Sequence, residues 1–109
     1  VLVNPCLKEG AVTIAFDSMS FSKPLICIDT GGYTRYFSND YAIVIKFSNR
    51  EKIITDIAKG MIDLSDTFLQ KELGRKSHEA SKEFSWIKKG VIISDTINEA
   101  YNNYLERND

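Results

Sequence analysis

The chain has 109 residues, of which 43% are hydrophobic and 27% are charged, and its formal net charge is -1. This length suits one domain with a core of its own. The near-neutral charge gives no electrostatic footprint for nucleic acid, and no apolar run approaches the roughly 20 residues of a membrane span. The composition therefore predicts a globular protein that does not bind nucleic acid.

Cysteine and histidine usage argues against a metal site. Cys6 and Cys27 lie far apart and form no C-x-x-C motif, and His78 is the one histidine. We therefore expect no metal ligands. Two reduced thiols are the simplest interpretation, and they predict a cytoplasmic protein. His78 lies in a charged run, which predicts a solvated helix face.

The first half of the sequence predicts three strands and a short helix. Val1–Val3 resembles the end of a buried strand, and Leu25–Ile28 and Ala42–Ile45 are apolar runs typical of buried parallel strands. Residues 12–21 predict a helix with apolar residues nearly all round, so we expect it to be buried on several sides. Asp29–Gly32 is predicted to be a turn at the carboxyl end of the second strand.

From Ser48 onward the pattern becomes helical. Ser48 and Glu51 fit a capping box for a first helix, Asp66 is predicted to cap a second, and Ser85 a third. Trp86 is expected to anchor the packing of two helices. The apolar positions at helical spacing are Ile53, Ile54, Ile57, Ala58, Met61 and Ile62 in the first helix, Leu69, Leu73, Ala80 and Phe84 in the second, and Ile93, Ile97, Tyr101 and Tyr104 in the third.

Strands that alternate with helices predict an α/β protein with a parallel sheet and helices on its faces. Three strands are visible, whereas a doubly wound sheet usually has about six in two halves. We therefore expect residues 1–109 to form a single partial domain, the second half of a Rossmann-like doubly wound sheet followed by C-terminal helices. Such a half exposes a sheet edge and an apolar face, which predicts self-association.

Ligands of open parallel sheets bind outside the carboxyl ends of the strands. The loops 4–11 and 29–33 leave two such ends and are expected to lie side by side. The stretch Gly10–Thr13 enters the predicted helix, where the amides of Val12 and Thr13 and the helix dipole favour an anion such as a diphosphate. From this local pattern alone, an ordinary tight turn with water on the amides is the favoured interpretation.

Two carboxylates flank that stretch. Glu9 precedes the helix and is better suited to neutral hydroxyls than to a phosphate; an ordinary loop glutamate near the helix dipole is the simpler alternative. Asp17 shares a helix face with Thr13 and can accept from ribose hydroxyls. Its alternative is a polar residue on an apolar helix, but an unpaired buried carboxylate is costly, which favours a ligand. The Gly31-Gly32 turn could bring further amides to the same site.

Five short motifs, in this order, resemble those of the group 1 glycosyltransferases (family 4). They are Pro5–Gly10, Asp17–Met19, Lys23–Ile26, Asp29–Gly32 and Phe84–Trp86. Their order and spacing follow the family pattern P-S-x-x-E-G-F-G-x-x-x-x-E-A-M-x-x-G-x-P-V-[VI]-x-[ST]-x-x-G-G, with F-S-W before the last helix, across essentially the whole chain. Three positions differ: Asp17 replaces a glutamate, Gly10-Ala11-Val12 replaces Gly-Phe-Gly, and Ser22 replaces a glycine.

The resemblance implies a two-domain GT-B fold in which this chain is the last part of the donor-binding domain. It implies transfer of a hexose from a nucleotide-sugar with retention, as in polysaccharide biosynthesis, with no cofactor or required metal. By motif position, Glu9 would be the catalytic residue that contacts the donor sugar, and Asp17 would hold the ribose. The other donor-binding positions would be Gly10, Ala11, Val12, Thr13, Gly31 and Gly32.

The same resemblance places the acceptor site, and any peripheral membrane contact, in regions outside this chain. The piece alone would be inactive. Two alternatives remain open from the sequence: a non-catalytic GT-B-like binding or regulatory domain, and a nucleotide-sugar epimerase of similar fold.

Overall fold

The computed structural model describes residues 1–8, 10 and 12–108. In them, three short parallel strands form one sheet in the order β1-β2-β3, namely β1 (Leu2–Asn4), β2 (Leu25–Ile28) and β3 (Ile43–Ile45). The helices are α1 (Thr13–Ser20), α2 (Tyr33–Tyr36), α3 (Arg50–Asp63), α4 (Thr67–Ser81) and α5 (Trp86–Asn108), and a 3-10 turn, Lys82–Phe84, joins the last two. The α/β class, the parallel sheet and the C-terminal helices are as predicted, whereas α2 was missed.

The central strand β2 organises the core because both of its faces are covered. Leu25 and Cys27 face the cluster that contains α1, whereas Ile26 faces the cluster beneath α3 and α4. All four β2 residues are buried, as the apolar run predicts. Burial, followed by the nearby charge of Asp29, raises the pKa of the Cys27 thiol to about 12. This thiol is therefore protonated at neutral pH and a poor nucleophile.

Helix α1 is buried less completely than predicted. It packs against the sheet and α4 through Ala15, Ser18 and Met19. Ile14 and Phe21 are exposed, at 52% and 74%, so the expected burial holds for only part of the apolar residues. The apolar residues of α1 extend around more of the helix than the sheet and α4 cover.

The predicted caps are correct for two helices and wrong for one. The Asp66 carboxylate accepts from two amides of α4 at 2.7 and 3.2 Å, and Ser85 Oγ accepts from an α5 amide at 3.3 Å. The capping box at Ser48 and Glu51 is not formed as predicted. Asn49 is the cap of α3: its backbone is extended, and its Oδ1 accepts from an α3 amide at 2.9 Å.

The inward residues predicted for the second helix are confirmed, while the stripe of α3 is only partly buried. Leu69 and Leu73 pack in the cluster beneath α3 and α4, and Ala80 and Phe84 pack against the cluster around α1. On α3, only one side of the predicted apolar stripe packs against the sheet. Ile53 is buried and Ile57 half-buried, but Ile54, Ala58, Met61 and Ile62 are exposed.

Two single-residue expectations were wrong. His78 is half-buried rather than solvated, and its Nδ1 lies 3.0 Å from the Ser20 carbonyl, so Nδ1–H donates to the last turn of α1. Trp86 is 83% exposed, so it does not anchor the packing of two helices. Phe84 takes that role, with its ring centroid 5.1 Å from that of Phe16.

The chain leaves the body of the molecule along α5. Every residue from 90 to 107 is exposed, although apolar side chains recur at helical spacing as predicted. Among the described helices, including this one, none combines the length and hydropathy required for a bilayer crossing.

Candidate functional site

The two predicted ligand loops do lie side by side at the carboxyl edge of the sheet. Thr30 Oγ1 donates to the Cys6 carbonyl at 3.1 Å, and the Asn4 side-chain amide donates to the Tyr33 hydroxyl. These bonds join the end of β1 and the segment after it to the segment between β2 and α2 and to the first residue of α2. Two predicted site residues, Glu9 and Ala11, lie outside the described residues.

A cleft of about 330 Å³ opens beside the start of α1. Its lining joins α1 to the beginning of α5, and we call it the α1–α5 cleft. The described residues that line it are Gly10, Val12, Thr13, Phe16, Asp17, Tyr36, Phe84, Trp86 and Lys89. Its volume lies at the lower end of the range of small-molecule sites, roughly 300–1,000 Å³.

Four predicted site residues meet in this cleft: Gly10, Val12, Thr13 and Asp17. Gly31 and Gly32 are not among its lining residues. Gly31 has a φ of 55°, in the left-handed region that glycine adopts without strain, and Gly32 immediately precedes α2. The structure therefore gives this glycine pair a role in the turn and does not bring it to the cleft.

Asp17 is exposed, which corrects the expectation that it is buried. The cost of burying an unpaired carboxylate therefore does not apply to it. Asp17 lies one turn after Thr13, and both side chains border the α1–α5 cleft. A carboxylate in this position can accept hydrogen bonds from the hydroxyls of a ligand in the cleft.

The start of α1 is suited to an anion. Val12 is the N-cap residue, its side chain makes no capping hydrogen bond, and the first turn of the helix carries no acidic residue. The first amides of a helix have no intrahelical acceptor, and the helix dipole places partial positive charge there. Every helix has such amides, so the cleft beside this helix start is what makes the arrangement informative.

Aromatic side chains form one wall of the cleft, and no pattern in the sequence predicted this wall. The ring centroids of Phe16 and Tyr36 are 5.5 Å apart, and those of Tyr36 and Phe84 are 5.8 Å apart. Phe84 and Trp86 carried a signal as members of the F-S-W motif, without an assigned role. Tyr36 carried none, because it lies on α2, which the sequence did not predict.

Lys89 is the cationic residue of the cleft lining, and it was also missed. Its Nζ lies 5.2 Å from the Phe16 ring centroid and 5.6 Å from that of Trp86. These distances fall within the roughly 6 Å of a cation–π contact. No sequence motif includes this lysine. Within residues 1–8, 10 and 12–108, no group of three or more His, Cys, Asp or Glu side chains is placed to hold a metal ion.

Comparison with known proteins gives one informative similarity. No protein-family model and no solved structure matches the chain. The chain is 32% identical over 88 residues to a protein of Methanocaldococcus jannaschii that is named an uncharacterized glycosyltransferase. The alignment covers 80% of this chain and 24% of the relative, so the chain spans about a quarter of that protein's length. The relative's name supports the expectation of a glycosyltransferase at that level of detail.

Proposed function

We propose that the chain is part of the donor-binding domain of a glycosyltransferase and that the α1–α5 cleft holds a nucleotide-sugar. The observation that carries this proposal is the meeting of Gly10, Val12, Thr13 and Asp17 in one cleft. These are residues that the motif order assigns to the donor. The similarity to a protein named a glycosyltransferase also supports this proposal.

The finer assignment follows the motif resemblance. We place the chain with the group 1 (family 4) enzymes, which have a GT-B fold and transfer a hexose with retention, without a required metal, in polysaccharide biosynthesis. The acceptor site and further donor ligands belong to polypeptide outside residues 1–109, so this piece alone does not transfer sugar. The free thiols of Cys6 and Cys27 suit a reducing compartment such as the cytoplasm.

The chemistry assigned to the cleft is positioning and charge stabilisation. The amides of Val12 and Thr13 meet the diphosphate, whose negative charge increases as it leaves the sugar. Asp17 accepts from the ribose hydroxyls and fixes the orientation of the donor. Glu9 keeps the catalytic role at the donor sugar on the strength of the resemblance, since it lies outside the described residues.

Replacing Asp17 tests the proposal, because the carboxylate is assigned to the ribose. Calorimetry of the chain with UDP, GDP and ADP identifies the tightest binder, which is then compared with its 2′-deoxy analogue. Asp17→Asn is expected to lower affinity for the ribonucleotide about tenfold, the loss of roughly one hydrogen bond to a charged group. It should also abolish the preference over the deoxy analogue.

Asp95→Asn is the matched control, because Asp95 is exposed on α5 and does not line the cleft. It should leave both affinities unchanged. If the unmodified chain binds none of the three nucleotides, donor binding by this cleft is wrong. Equal losses for the two variants would contradict the role of Asp17.

A further inference from the structure

Two adjacent lysines at the start of α5 have different surroundings. Lys88 Nζ lies 2.6 Å from Glu83 Oε1, in an ion pair on the surface. Lys89 is half-buried and lines the α1–α5 cleft, with its Nζ near the faces of Phe16 and Trp86. Within the described part of the chain, no carboxylate lies within ion-pair distance of Lys89. The charge of Lys88 is thus neutralised by Glu83, whereas the charge of Lys89 lies at the cleft.

The aromatic contacts orient Lys89 without cancelling its charge. A cation over a ring face is attracted by the ring quadrupole, but the ring carries no formal charge. The two rings thus hold the ammonium group at the cleft, where it stays available to an anion. An ammonium group offers three donors and suits phosphate as a point charge.

The rest of the lining favours the same kind of ligand. Val12 and Thr13, at the start of α1, line the same cleft as the α5 residue Lys89. Asp17 is the carboxylate among the described lining residues, and it is placed to accept from hydroxyls. A ligand that carries both a phosphate and hydroxyls would suit this lining. Its phosphate would meet the α1 amides and Lys89, and its hydroxyls would donate to Asp17.

We propose that Lys89 is the cationic contact for a phosphate group in the α1–α5 cleft. This inference rests on the proposed function, in which the phosphate is part of a nucleoside diphosphate. Lys89 then distinguishes a nucleoside diphosphate from a nucleoside, which has the same hydroxyls and no charge. It supplies from α5 the cationic side chain that the described residues of the segment before β2 do not bring to the cleft.

The test compares Lys89→Met with Lys88→Met, which removes the same charge one residue away. Calorimetry of the 109-residue chain uses inorganic pyrophosphate, and the diphosphate and free nucleoside of uridine, guanosine and adenosine. Lys89→Met should weaken binding of pyrophosphate and of the tightest diphosphate at least about tenfold, a typical loss for one charged contact. It should change nucleoside binding less than twofold. Lys89→Arg should restore most of the affinity, because the positive charge is kept.

The outcomes separate this inference from the proposed function. If the nucleoside diphosphate binds and both methionine variants lose affinity equally, Lys89 is not the phosphate contact, and the donor site stands. If pyrophosphate binding depends on Lys89 but no nucleotide binds, the anion site stands and the proposed function fails. If the unmodified chain binds none of the probes, both are wrong. Far-ultraviolet circular dichroism of each variant verifies that the helices are retained.

Discussion

Ser22 adopts a backbone conformation that its side chain disfavours. Its φ is 54°, in the left-handed region, and its amide donates to the Met19 carbonyl at 3.0 Å as the chain leaves α1. A residue with a Cβ pays roughly 1–2 kcal/mol for this conformation, whereas glycine adopts it freely. The glycosyltransferase pattern that the sequence resembles has glycine at this position, and the backbone angle offers a physical reason.

Ser22→Gly is therefore expected to stabilise the protein. Glycine relieves the backbone strain, but it also increases the entropy of the unfolded chain, which offsets part of the gain. The free energy of unfolding should rise by about 0.5–1 kcal/mol. Urea denaturation followed by circular dichroism measures it. Ser20→Gly is the control, since Ser20 ends α1 in a helical conformation and the same change there should lower stability. A lower free energy of unfolding in Ser22→Gly would contradict the claim that the backbone at Ser22 is strained.

At the scale of elements, the close approach of α4 to the end of α1 depends on small residues. A Cβ on Gly74 would come closer to the Ser22 carbonyl oxygen than van der Waals contact allows. Ser77, one turn later, is completely buried, and its Oγ has no hydrogen-bond partner among the described residues. Its small size, rather than a hydrogen bond, therefore suits it to this interface. The bond from His78 to Ser20 joins the same two helices.

Gly74 and Gly90 form a matched pair for testing this packing, because both are interior helical glycines. A Cβ on Gly90 would meet nothing within 4 Å. Gly90→Ala should raise the free energy of unfolding by about 0.5–1 kcal/mol through helix propensity alone. Gly74→Ala should lower it by about 1–3 kcal/mol, because backbone must move to make room. If urea denaturation shows equal increases in the free energy of unfolding for the two variants, α4 does not need a glycine at position 74.

At the scale of the whole molecule, α5 gives the chain its elongated shape, 63 × 30 × 18 Å. The helix has 23 residues, and its apolar side chains extend into solvent. Ile93 and Ile97 are 53% and 62% exposed on one face of it. A large apolar surface of this kind is unusual in a monomeric protein and marks a surface that associates.

Self-association is accordingly expected, and sedimentation velocity over a concentration series measures it. Ile93→Gln with Ile97→Gln should shift the chain toward monomer without unfolding it, since neither side chain is buried. Asp95→Gln with Glu99→Gln is the control, because it introduces the same residue with the same spacing and keeps the apolar face. A monomer at all concentrations in the unmodified chain would contradict the expectation.

The elements whose causes are local could be predicted from the sequence. The run Leu25–Ile28 predicts a buried strand because both faces of a parallel strand are covered, and Asp66 and Ser85 predict helix starts because a cap bonds amides two or three residues away. The adjacency of the two ligand loops followed from the parallel sheet, as did the presence of residues from the start of α1 at the site. Asn49 displaced Ser48 as the cap of α3 because neighbouring residues compete for that position.

The surroundings of each helix, by contrast, depend on tertiary packing. The exposure of Asp17 and Trp86 depends on where α4 and α5 pass α1, and no periodicity in either segment contains that information. Lys89 joins Thr13 in one cleft through packing between residues more than 70 positions apart. The physical reason is that helix and strand patterns depend on residues within one or two turns, whereas burial and cleft composition depend on contacts between distant segments.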